Sequence, residues 1–482
     1  MIRTGGLSYI LGQFLVVLGG SMLPPLALCL VAGEAPAPFL LAGSVTAGLG
    51  AVLLVVCPRP ARDLSQREGL LLVLVVWLSV GLFGCLPFLF SPDFAGFTDA
   101  FFEATSGFTT TGATILAEVE RLPRGLQLWR CLTHWLGGMG IVLLGIAVLP
   151  LLGVGGMPLY RAEFSGARSE KLKPRITETA LALWKIYVAL TLLELLALRG
   201  AGMGWFDALC HSFSTLGTGG FSTRTASIEA FDSPLIEAII VVFMFLAGAN
   251  FTLHYRLWVE RRAGRVLRDV ELRFYSLAIL AATAVISVSL VALNGYEPLR
   301  AVRSALFQVT SILTTTGFAT DDFEAWRPLP QLMFLAMMFT GGCTGSTAGG
   351  LKASRILLLL KVVSREFKRM VERRGIFAIR LGDRVIPEET IRSLLSLVYL
   401  AFLVNFAACL LLAASGVDVL TSIAAVAASM FNVGPGLGSV GPTENYAHLP
   451  ALAKWVLSFC MIAGRLEFYT VLVIVSPAFW RK

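Results

Sequence analysis

Seven stretches of this 482-residue chain contain no Asp, Glu, Lys or Arg: Thr4–Gly33, Ala35–Cys57, Gly69–Phe90, Cys131–Tyr160, Phe274–Tyr296, Pro328–Leu351 and Ser393–Val417. A helix needs about 20 apolar residues to cross a ~30 Å hydrocarbon core, and each stretch is long enough. Three more, Ile176–Leu198, Leu235–Tyr255 and Trp455–Val475, are apolar with isolated charges. Only 15% of residues are charged, against about 25% in soluble domains. The chain therefore reads as an all-α polytopic membrane protein with ten candidate spans.

The net charge of +8 could indicate a nucleic-acid partner, but its distribution argues otherwise. Basic residues gather in alternate loops, Arg59–Arg67, Arg161–Arg175, Arg256–Arg273 and Lys352–Arg392, and at Arg481–Lys482. With Arg3, these segments hold 28 of the 39 Lys and Arg. That asymmetry is the bias that orients membrane helices, and it places both termini in the cytoplasm. The eight cysteines stand singly, without CxxC or secreted disulfide spacing, and read as small hydrophobes. The first apolar run lacks a cleavage site and leads into a second span, so it is not expected to be a removed signal peptide.

The loops on the opposite side carry a repeat. FFEATSGFTTTG ends at Gly112, LCHSFSTLGTGG at Gly220, LFQVTSILTTTG at Gly317 and IAAVAASMFNVG at Gly434. Thirteen residues before each glycine stands Asp99, Asp207, Ser304 or Thr421, types that favour a helix N-terminus. Roughly ten helical residues span about 15 Å, half a membrane. Each unit then reads span, half-helix, glycine turn, span. Irregular backbone at membrane depth is tolerated only where it is buried in protein or lines a wet cavity. Four such turns can satisfy this around one axis. The helix C-termini aim partial negative charge at that axis, which favours a cation. Glycine reaches the positive φ that the turns need. Rings of backbone carbonyls that replace a hydration shell are how potassium filters work.

The TTTGAT, GTGGFST, TTTGFAT and NVGPGLG segments resemble the four filter segments of the Trk/Ktr/HKT superfamily. HWLGGMG at 134–140, PLLGVGGMPLYRAE at 150–163, FTGGCTGSTAGG at 339–350 and AGRLE at 463–467 resemble its TrkH/TrkG branch. The resemblance covers essentially the whole chain. It implies a two-span N-terminal domain (1–60) and four pore repeats at 61–160, 161–260, 261–372 and 373–482. It implies K⁺ as the transported ion, a homodimer in the lipid of a bacterial inner membrane, and a cytosolic nucleotide-binding regulatory subunit of the TrkA/KtrA type. Carried over by motif position, the filter lining would be Thr110, Thr111 and Gly112; Thr218, Gly219 and Gly220; Thr315, Thr316 and Gly317; Asn432, Val433 and Gly434. A serine at the first repeat's glycine goes with sodium-preferring members, so Gly112 fits the potassium side.

Two further sites follow. In Gly341-Gly342-Cys343-Thr344-Gly345-Ser346-Thr347-Ala348-Gly349-Gly350, glycines costing about 1 kcal/mol each relative to alanine should break helix. A small-residue packing face is the alternative. The resemblance favours an unwound gating loop with Thr344, Ser346 and Thr347 at the passage. Arg465 lies ten residues into the last span, where a charge costs roughly 2.5–3.5 kcal/mol on insertion scales. It is expected beneath the filter, against the gating loop and raising the barrier to cations, rather than snorkelling to headgroups or pairing with Glu467. Lys185 and Glu194 stay unassigned. Gly436–Gly441 matches GxGxxG but follows a re-entrant segment instead of a strand, so no dinucleotide site is expected. No enzymatic activity and no cofactor are expected, since a membrane enzyme needs convergent ionisable residues and only Arg465, Lys185 and Glu194 qualify.

Overall fold

Apolar runs of this length fold as helices because backbone groups inside lipid must bond within their own segment. The computed structural model describes residues 4–60, 64–147, 172–382 and 384–481. The 150–163 motif expected to mark the branch lies outside the described residues. The N-terminal part holds α1 (Thr4–Gly20), α2 (Leu23–Ala32) and α3 (Ala37–Val56), with α1 packed along α3. The close approach is made by glycines: a Cβ on Gly12 would stand 2.9 Å from the Gly50 carbonyl oxygen.

Four sets of span, short helix and span follow. The first comprises α4 (Gln66–Gly84) with its short extension α5 (Leu86–Leu89), α6 (Phe97–Phe108) and α7 (Arg124–Ala147). The second is α8 (Leu172–Gly200), α9 (Trp205–Gly217), α10 (Pro234–Gly248) and α11 (Phe251–Trp258). After a single turn, α12 (Ala263–Leu267), the third set is α13 (Val270–Asn294), α14 (Pro298–Leu313), α15 (Pro328–Thr340) and α16 (Ala353–Val371). A two-residue ribbon pairs β1 (Arg380–Leu381) with β2 (Arg384–Val385). The fourth set is α17 (Glu388–Ala414), α18 (Val419–Met430), α19 (Ala451–Arg465) and α20 (Tyr469–Val475), followed by α21 (Pro477–Trp480).

The short helices α6, α9, α14 and α18 pack in a cycle. Each touches the two spans of its own set and the second span of the set before it: α6 against α19, α9 against α7, α14 against α10 and α18 against α15. The cycle closes, so four similar units enclose one axis.

Six helical segments among the described residues are long and apolar enough to cross a membrane, or seven if the α10–α11 pair counts as one. The ten expected spans are not all continuous helices. The α10–α11 pair bends by 101° at Ala249-Asn250. In the third set the helix stops at Thr340 and resumes at Ala353. The last span stops at Arg465, and Glu467 and Phe468 take φ of +56° and +50° before α20 begins. Each break lies against the turn at the end of a short helix, as shown below.

The short helices are also longer than expected, with 12, 13, 16 and 12 residues. They start earlier than Asp99, Asp207, Ser304 and Thr421, at N-caps Gly96, Gly204, Glu297 and Asp418. The Asp418 carboxylate accepts from Thr421 N–H, and Pro298 supplies the pre-set φ of a first helical turn. Asp99 and Asp207 sit instead in the first turn, bonded to Lys454 at 2.7 Å and Thr223 at 2.6 Å.

Candidate functional site

The four short helices end in the same way. The N–H two residues before each glycine bonds the carbonyl five before it: Thr110 to Gly107, Thr218 to Thr215, Thr315 to Ile312, Asn432 to Ser429, at 2.9–3.3 Å. The next N–H reaches one residue further back: Thr111 to Ser106, Gly219 to Ser214, Thr316 to Ser311, Val433 to Ala428, at 2.8–2.9 Å. This is a Schellman closure, which requires a left-handed residue just past the helix. Those residues are Thr110, Thr218, Thr315 and Asn432, with φ of +51°, +53°, +57° and +55°. Glycine is usual there, and a non-glycine residue held so costs of order 1–3 kcal/mol. Three threonines at this position mark side chains that are needed.

The glycines interlock. A Cβ on Gly112 would stand 2.0 Å from the Gly219 carbonyl oxygen, and one on Gly220 would stand 2.1 Å from that of Thr316. One on Gly317 would stand 2.3 Å from the Val433 oxygen, and one on Gly434 would stand 2.6 Å from the Thr111 oxygen. First meets second, second meets third, third meets fourth, and fourth meets first. All twelve residues expected at the lining are thus brought together in one closed ring, at φ of +82°, +82°, +84° and +100° for the four glycines. The first two backbone N–H groups of each turn are spent on the helix end, while their carbonyl oxygens remain for the turns to offer. Among the described residues no cluster of three or more His, Cys, Asp or Glu could hold a metal ion.

Three of the four left-handed side chains are tethered by other segments, while among the described residues Thr218 Oγ1 bonds only the neighbouring Gly217 carbonyl. Arg465 Nη2 donates to Thr110 Oγ1 at 2.6 Å. Gly349 N–H donates to Thr315 Oγ1 at 2.6 Å. Asn432 Nδ2 bonds Thr111 Oγ1 at 2.9 Å and the Met461 carbonyl at 3.1 Å. Arg465 is 7% exposed and ends a helix, where the last carbonyls favour a cation. It does not occupy the middle of a continuous helix, which was the expected setting. Nor does it pair with Glu467, whose carboxylate meets Arg355 at 2.8 Å.

Residues 341–350 form a non-helical loop between α15 and α16. Gly341, Gly345 and Gly350 take φ of +74°, +77° and +75°, and Gly341 and Gly350 touch backbone to backbone. Cys343 N–H reaches the Gly248 carbonyl at 2.8 Å, at the α10–α11 break. Thr347 Oγ1 donates to the Ala247 carbonyl at 3.2 Å, and Ser346 Oγ to the Cys343 carbonyl at 2.6 Å. Gly342 packs on Gly248, and Gly349 lies so close to the Phe431 carbonyl that a Cβ would stand 2.1 Å away. The loop therefore contacts the second, third and fourth sets at once. The small-residue packing face does not describe it.

Sequence reasoning missed Glu271. Its Oε1 accepts from Thr344 N–H at 2.6 Å and Ser354 N–H at 3.0 Å, joining the loop to the first turn of α16. Its position at the end of a basic loop gave no sign of this. Lys185 lies on an exposed face of α8. Glu194 is fully buried in α8. The 436–441 glycines form a turn pinned by Glu324 rather than a helix start.

The TrkH family model, described as a cation transport protein, matches residues 38–482. The Trk system potassium uptake protein TrkH of Halomonas elongata is 43% identical over 98% of both chains. The protein of that name from Salmonella typhimurium is 42% identical over 98% of both chains. The crystal structure of the potassium transporter TrkH from Vibrio parahaemolyticus superposes with a TM-score of 0.91 at 38% identity, covering 99% of this chain and 100% of that one. With matches this long in both sequence and structure, the chain belongs to the TrkH family of cation transport proteins.

Proposed function

We propose that this chain carries K⁺ inward across a bacterial inner membrane through the ring of carbonyls that the four turns present. The closed ring of glycine contacts carries the reading. Four helix C-termini and their carbonyl oxygens converge on one axis, and such an arrangement favours a partly dehydrated cation. The named activity of the relatives, potassium uptake, supports K⁺ over other cations. Thr110 to Gly112, Thr218 to Gly220, Thr315 to Gly317 and Asn432 to Gly434 form the filter. The 341–350 loop, bonded to Thr315, is the gate, and Arg465 is a fixed positive barrier on the same side. The role is transport rather than catalysis, with both termini cytoplasmic. The relatives are named as parts of a Trk system, which supports a role beside other components; a homodimer and a cytosolic nucleotide-binding regulator belong to the same proposal.

Electrophysiology of the purified protein in planar bilayers under bi-ionic K⁺/Na⁺ conditions tests this. The expected result is a reversal potential on the K⁺ side. Equal permeability to both ions would reject the potassium filter.

A further inference from the structure

The second turn departs from the first and third. In the first and third, two threonine hydroxyls bond behind the turn: Thr109 to Thr111 at 2.8 Å and Thr314 to Thr316 at 2.7 Å. The corresponding residues of the second turn are Gly217 and Gly219, with no side chain at either. What fills the space is His134 of α7. A Cβ on Gly219 would stand 2.3 Å from His134 Nδ1, and one on Gly217 would stand 2.6 Å from the His134 carbonyl oxygen.

The imidazole is fully buried and stacks on Phe221 at 4.1 Å between centroids, with an interplanar angle of 18°. Its Nδ1 accepts from the Phe221 N–H at 3.4 Å and lies 3.3 Å from Ser214 Oγ. Ser214 also supplies the carbonyl that closes the turn, at 2.9 Å from Gly219 N. One ring thus braces the segment on both sides of Gly219-Gly220. Because Nδ1 accepts a backbone N–H, the ring proton sits on Nε2.

We propose that His134 is a selectivity-determining positioning residue, standing in for the absent threonine pair behind the second filter strand. The proposal rests on the filter reading above. The path is short: His134 fixes Gly219, and the Gly219 carbonyl oxygen is the atom that faces Gly112 across the ring. Letting that carbonyl drift loosens the discrimination between ions of different size without removing any filter residue.

The test measures K⁺/Na⁺ permeability ratios of the full-length protein in bilayers for three variants. His134→Ala should lower the ratio by roughly tenfold, equivalent to about 1.4 kcal/mol of discrimination. Gly219→Ala, which drives a methyl into an intact ring, should lower it too and does not depend on the first variant folding. His134→Ala combined with Gly219→Thr puts a hydroxyl-bearing side chain into the space the imidazole leaves and should recover part of the ratio. A wild-type ratio in Gly219→Ala, or no recovery in a folded His134→Ala/Gly219→Thr variant, overturns the proposal. If Gly112→Ser alters selectivity while His134→Ala does not, His134 is packing only and the filter reading stands. If none of these variants moves the ratio, the filter reading itself fails.

Discussion

Arg465 donates from Nη2 to the hydroxyl of Thr110 at 2.6 Å, while its Nε has no hydrogen-bond partner among the described residues. The charge is held against the first turn by one bond, at the end of a helix. Coulomb terms in such a setting far exceed those in water. Arg465→Ala should raise cation flux several-fold and leave yield close to wild type, since no carboxylate loses its partner. Initial K⁺ uptake in cells lacking other uptake systems, normalised to membrane protein level, checks this. Reduced flux per molecule would count against the barrier role.

Gly112 tolerates no side chain without movement of the Gly219 carbonyl, which would stand 2.0 Å from a Cβ. Gly112→Ser should shift preference from K⁺ toward Na⁺. Gly112→Ala should do the same, because the obstruction begins at Cβ rather than at the hydroxyl. Relative permeabilities of the two variants measured side by side separate a steric cause from a polar one. A shift with serine alone would reject the steric account.

Glu271 ties the 341–350 loop, at Thr344, to the start of α16, at Ser354, through one carboxylate oxygen. Glu271→Ala should free the loop and raise basal rubidium flux into liposomes. Glu271→Gln keeps an acceptor oxygen and should stay near wild type. A shortened 341–350 loop should conduct faster than either. If a folded deletion conducts no faster than wild type, the loop is packing and not a gate.

Behind the first turn, Arg130 and Glu103 form a fully buried ion pair at 2.8 Å. Arg130 also reaches the Ser222 carbonyl and lies over the Phe221 ring at 4.1 Å, while Glu103 holds Thr114 and the Ile115 N–H. The pair joins the exits of the first and second turns. Arg130→Met strands a buried carboxylate and should cost about 3–5 kcal/mol. Combining it with Glu103→Gln should return much of that loss. Thermal unfolding of the purified variants, arranged as a double-mutant cycle, measures the coupling. Additive losses would mean that the two residues act separately.

The architecture was legible in the sequence because lipid leaves the backbone few options. Charge-free runs became helices, and four glycine turns at matched offsets became one ring. The start of each short helix was misread, since the residue types at Asp99, Asp207, Ser304 and Thr421 suit a cap but earlier residues took the position. The breaks at Ala249-Asn250 and Arg465 were hidden because apolar composition is the same in a continuous span and a broken one. Glu271 and His134 were missed for a different reason. Their roles come from what lies across the fold, 73 and 85 residues away at Thr344 and Gly219, and no local pattern encodes that.

The cycle of four units is closed but unequal, and inequality is available only because all four lie in one polypeptide. In a ring of identical subunits, whatever braces one strand braces every strand, so a single arginine under the filter would become four. Here the first strand has the arginine, the second a histidine, the third a backbone N–H from the loop and the fourth its own asparagine amide. On the proposed reading the permeating ion meets one positive charge where strict symmetry would impose four, and a change at a single strand is enough to alter that barrier.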